Sequence, residues 1–165
     1  MNNLQLQKVL RAVFIILLQV LVLKNMSLGK VNIYLYPLII LLIPLETTHG
    51  LVIFLSFLCG VSIDIFYDTL GLHAAVMVLI AYLRPGVCYL IEPRGGYDAH
   101  QALTRSRLGW TWFIKYTAAL FGVAILLITF LEDLSFSTVW LVRLCLSYSA
   151  SMAFLMLYQS IFNPD

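Results

Sequence analysis

The stretch GVSIDIFYDTLGLHA, residues 60–74, sets two aspartates and a histidine into sequence that is otherwise almost entirely apolar. Its centre, Asp68-Thr69-Leu70-Gly71, has the chemistry of a turn: aspartate and threonine bond nearby backbone, and glycine supplies freedom of φ. Long apolar segments run away from it on both sides, so the stretch predicts a hairpin between two helices. Gly60, Asp64 and Asp68 are spaced four apart and share one face of the first helix. Gly60 permits close approach of a neighbouring helix, Asp64 lies about one turn inside the end of its helix, and His73 starts the second helix at nearly the same depth.

Working outward, the whole chain is of the same character. Its 165 residues suit one domain, 62% are hydrophobic and only 11% are charged. Soluble domains carry about 25% charged residues. With so few charges and a mean hydropathy of +0.95, the outer surface must face lipid. Cys59, Cys88 and Cys145 are odd in number, far apart and inside apolar runs; they read as small core residues, not as disulfide or zinc partners. A net charge of +2 gives no footing for nucleic acid.

Six apolar runs approach the length of about 20 residues that a bilayer demands. They cover residues 9–23, 31–45, 50–67, 70–91, 110–131 and 137–162. None alternates as a barrel strand does, so the expected fold is an all-α membrane bundle of about six transmembrane helices. The first run has no small-residue cleavage site after it, because Lys24-Asn25-Met26 follow directly, and it reads as a retained helix. The second contains Pro37 and Pro44 and is expected to kink; the fourth is expected to stop near Leu83, before Arg84-Pro85. Residues 92–109 form the longest polar loop.

Lysine and arginine set the orientation. Lys8, Arg11, Arg94, Arg105 and Arg107 fall on one side, with Arg84 and Lys115 near it, against Lys24 and Lys30 on the other. Both termini are therefore expected to be cytoplasmic, with the 68–71 turn, Glu132 and Asp133 outside. The loop arginines, with Tyr97 and His100, serve either to hold the loop inside or to meet a lipid headgroup or partner.

Three readings of the hairpin compete. Asp68 and Thr69 cap and turn while His73 sits among headgroups and Asp64 bonds an adjacent helix; or Asp64, Asp68 and His73 form a proton or metal site; or Asp64 anchors a packing that a partner needs. The second set is an incomplete ligand sphere. Arg143, inside the last run, is close enough to Glu132 or Asp133 for neutralisation. Ser147 with Ser151, Ser149 with Ala153, and Ala118 with Gly122 are small pairs at helical spacing that permit close helix approach. Thr47 or Thr48 is placed to cap the third helix. No Ser/His/Asp set, HExxH or paired acids on different helices are visible, so the residues do not read as an enzyme's and imply no cofactor or metal.

The segment GVSIDIFYDTLGLHAAVMVLIAYLRP resembles the central part of the MreD family, the rod shape-determining membrane proteins of bacteria, through Gly60, Asp64, Gly71, Leu72, His73, Ala74, Ala81, Tyr82 and Leu83. The later EPRGGYDAH is similar to the form found in Bacteroidetes-type members. The resemblance implies a non-enzymatic component of the cell-elongation machinery of the inner membrane. Its implied partners are MreC through that protein's membrane helix, the glycosyltransferase RodA with its transpeptidase, and, indirectly, the MreB filament. It also implies a fold similar to the six-helix substrate-binding subunit of energy-coupling-factor vitamin transporters, which is the rival function. A proton-coupled carrier is a third, and it requires Asp64 to titrate. Gly60, Asp64, Asp68, Gly71, His73 and Arg143 are the candidate packing and partner residues.

Overall fold

The computed structural model describes residues 3–25, 31–98, 102–133 and 137–162. Lys30 and His100 lie outside the described residues, as does the side chain of Lys8. Among the described residues the chain is all-helical with no strand: α1 Asn3–Leu18, α2 Leu38–Leu41, α3 His49–Tyr67, α4 Leu72–Leu90, α5 Arg105–Leu108, α6 Trp110–Asp133 and α7 Thr138–Phe162. Four of these, α3, α4, α6 and α7, are long and apolar enough to cross a membrane. The expected first helix starts earlier than residue 9, and α1 runs on through a widened π turn, Gln19–Leu23.

The expected second helix is not there. Residues 32–35 are irregular, a turn follows at 36–37, and helix occupies only the short α2 of residues 31–45. Proline explains part of this, since the residue before Pro37 is pushed away from helical φ/ψ and Pro37 is favoured in a first turn. Side chains explain the rest. The N–H groups of Asn32 and Tyr34 donate to Ser147 Oγ (3.2 Å) and Ser151 Oγ (2.9 Å), and that of Leu35 donates to Gln19 Oε1 (2.7 Å). Irregular backbone is tolerated at membrane depth only where protein surrounds it, and Ile33 to Leu38 are all buried. The segment runs from the end of the bundle where Tyr34 meets Glu132 to the opposite end, where Tyr116 and Arg84 bond the carbonyls of Leu41 and Ile43.

α4 does not stop near Leu83 as expected but continues without interruption through Pro85 to Leu90. Proline removes one N–H and crowds the preceding turn, and here its ring lies on the exposed side of the helix. α4 packs on α3 and on α6, and α6 packs on α7. α3 and α7 each keep an apolar face outward, with Leu51, Phe54, Leu58 and Ile65 of α3 and Val142 and Leu146 of α7 exposed, as are Val9, Leu10 and Val13 of α1. Near the chain's two ends, Arg11 Nε donates to Tyr158 Oη (3.1 Å), which puts the start of α1 beside the end of α7. At the same end the polar loop is fastened by Tyr97 Oη donating to the Cys88 carbonyl (2.8 Å) and Trp112 Nε1 donating to that of Ile91 (2.9 Å). Burial pushes the Tyr97 phenol's pKa up, so it stays a neutral donor.

Candidate functional site

The α3–α4 hairpin is built around one close approach. A Cβ placed on Gly60 would lie 2.3 Å from Ala74 Cα and 2.7 Å from Ala74 N, so only glycine lets the two backbones meet there. Two turns further along, α3 ends at Asp68, whose φ of 54° is left-handed, and the N–H groups of Asp68 and Thr69 both return to the Asp64 carbonyl. Aspartate tolerates that conformation better than most residues do. Gly71, at φ 84°, then starts α4.

No side chain of α4's own start caps that helix. Asp64 does it from the preceding one. Its carboxylate accepts the N–H groups of His73 (3.0 Å) and Ala74 (2.9 Å), and the Thr69 hydroxyl donates to it as well. Two backbone donors that a helix start leaves without acceptors are thus satisfied by a carboxylate 5% exposed. Each such bond contributes about 0.6–2 kcal/mol in a membrane protein, and the negative charge suits the positive end of the α4 dipole.

His73 is not among headgroups. It is 1% exposed, its Nδ1 is 2.7 Å from Tyr36 Oη, and the rings of Tyr34, Tyr36 and Tyr67 lie 6.1, 5.4 and 5.2 Å from its own. Gln19 completes this interior: its amide nitrogen donates to the Ile33 carbonyl (2.9 Å) and Tyr67 Oη (2.8 Å) while its oxygen holds Leu35 N. The side chains of Asp64, Asp68 and His73 do not converge. Asp68 is exposed in the turn, the Asp64 oxygens face backbone, and the His73 ring faces phenols. Among the described residues, no group of three His, Cys, Asp or Glu side chains is placed to hold a metal ion.

Arg143 sits apart from the hairpin and pairs with both Glu132 and Asp133, the latter at 2.8 Å. Ser147 and Ser151 share one face of α7 as their spacing suggests, and what they meet is the irregular backbone at Asn32 and Tyr34 rather than a helix. Thr48 stands at the start of α3 without a side-chain cap bond. Gln19 and Arg84 are the structural residues that sequence reasoning missed. A lone glutamine within an apolar run was the available signal for the first. Arg84 is buried, although it reads as a topology charge; its Nε donates to Tyr116 Oη (2.9 Å) and its Nη2 to the Ile43 carbonyl. No family model, characterised protein or solved structure matches this chain.

Proposed function

We propose that this chain is a non-enzymatic subunit of the bacterial cell-elongation machinery, an MreD-type protein of the inner membrane. On this reading it crosses the bilayer six times with both termini cytoplasmic, five times as helix and once through residues 31–45, in an arrangement similar to the energy-coupling-factor substrate-binding subunits. It holds the membrane helix of MreC and through it helps to position RodA and its transpeptidase.

One observation carries the proposal. Gly60, Asp64, Gly71, His73 and Ala74, residues through which the chain resembles that family, belong to a single packing device joining α3 to α4. The polar groups of that device face inward, onto backbone and phenols, which leaves the apolar outer faces of α3 and α7 for recognition. Against the rival vitamin-capturing role, the interior beside the hairpin is filled by Tyr34, Tyr36, Tyr67 and His73, where a captured molecule would need space.

Co-purification from detergent-solubilised membranes of the source organism tests the proposal. An MreC homologue should travel with the tagged chain. Its absence while other membrane proteins are captured, or retention of a small molecule through purification, contradicts the reading.

A further inference from the structure

Arg84 is 3% exposed, and the acceptors that it bonds, a phenol and a peptide carbonyl, are both neutral. A buried guanidinium ordinarily sits beside a negative group. Next to it opens a cleft of about 370 Å³, lined by residues 45–49 together with Val52, Ala81, Arg84 and Pro85. At ~30 Å³ per water, that is room for roughly a dozen waters, ample for a phosphate group. The opposite wall is the start of the 19-residue helix α3, where Thr48 makes no side-chain cap bond. The first N–H groups of a helix have no acceptor within it, and its dipole is positive there, so this wall also favours an anion. Glu46, the one acidic residue on the lining, has an interaction of its own.

The surroundings indicate the depth. On α4 beside the cleft, Tyr82 and Tyr89 are exposed at 64% and 79%, and Pro85 and Gly86 are exposed between them. Exposed tyrosines on a membrane helix belong at the headgroup level. From this combination of buried cation, uncapped helix start, cleft and aromatic rim, we propose that the cleft binds a phosphate group at the membrane surface. The Arg84 guanidinium and the N–H groups opening α3 hold its oxygens, with the Thr47 and Thr48 hydroxyls at the mouth. The chemistry is that of an anionic phospholipid headgroup, and inorganic phosphate shares it.

Native mass spectrometry of the full chain in detergent, titrated with phosphatidylglycerol or phosphatidylcholine of identical acyl chains, tests the site. A parallel arm compares melting in inorganic phosphate and in chloride at equal ionic strength. The expected result is a preference for phosphatidylglycerol of about tenfold, or a melting rise in phosphate if the free ion is the occupant. Arg84→Gln should erase either effect. Because that change also removes bonds to Tyr116 and Ile43, Thr48→Asp is the cleaner variant. Aspartate is a favoured helix cap, so folding is kept while a carboxylate occupies the cleft mouth, and the preference should fall below about twofold. Equal binding of the two lipids with no phosphate effect overturns the proposal. So does a preference that survives Thr48→Asp, which would assign it to the arginines of the 92–109 loop.

Discussion

Gly60→Ala is the smallest change that attacks the hairpin. The added methyl would come within 2.3 Å of Ala74 Cα, 2.7 Å of Ala74 N and 2.9 Å of the His73 carbonyl oxygen. All three are backbone atoms, so no rotamer change relieves the clash and α3 must move away from α4. Overpacking of this kind costs about 1–3 kcal/mol. The same movement stretches the bonds from His73 N and Ala74 N to Asp64, one turn along, adding roughly 1–2 kcal/mol. A combined loss of about 2–5 kcal/mol corresponds to a fall in melting temperature of roughly 5–15 °C for a chain of this size. Cys88 is buried and reports unfolding through maleimide labelling once Cys59 and Cys145 are replaced by serine. Heating the detergent-purified protein with such a dye gives the melting curve. Ala74→Gly should not rescue Gly60→Ala, because the obstructing atoms are not the Ala74 side chain. An unchanged melting temperature, or full rescue by Ala74→Gly, would refute the reasoning.

Other outcomes follow from the same geometry. Asp64→Leu should destabilise more than Asp64→Asn, since asparagine retains one oxygen acceptor for the α4 N–H groups; equal melting temperatures would argue against the capping role. Gln19→Leu leaves Leu35 N and the Ile33 carbonyl without partners, at roughly 1–3 kcal/mol each, so it should exceed Ser151→Ala, which strands only Tyr34 N, in the same labelling assay. Arg143→Gln breaks ion pairs at the end of the bundle whose members are 12–30% exposed. A loss of about 1 kcal/mol is expected from partly buried pairs at the rim of the bundle, and a loss as large as that of Asp64→Leu would show that these pairs hold the bundle together.

Much of the hairpin was legible because short-range rules govern it. The i, i+4 spacing put Gly60 and Asp64 on one face, and Asp68 to Gly71 carried turn chemistry. The bond from Asp64 to the neighbouring helix needed only the idea that a buried carboxylate seeks donors. The length and apolarity of α3, α6 and α7 did the same for those helices. Residues 31–45 read as a membrane helix because hydropathy counts apolar residues without asking how their backbone is bonded. Pro37 and Pro44 are the local signals against a regular helix there. The segment's true partners, Gln19, Ser147 and Ser151, lie up to 117 positions away, so the sheltered irregular backbone could not be read locally. His73 reads as nearer the surface than it is for a related reason: two of the three tyrosines that bury it, Tyr34 and Tyr36, come from that same segment. Arg84 was assigned to topology because the orientation rule counts charges and says nothing of their burial.

Polar side chains inside the bundle fasten backbone which would otherwise lack partners. Hydrogen–deuterium exchange of peptides covering residues 31–36, in wild type and Gln19→Leu, probes this most directly. Slow exchange in the wild type at Asn32, Tyr34 and Leu35, lost at Leu35 in the variant, is the result that the structure predicts. Rapid wild-type exchange, or protection unaltered by Gln19→Leu, would contradict it.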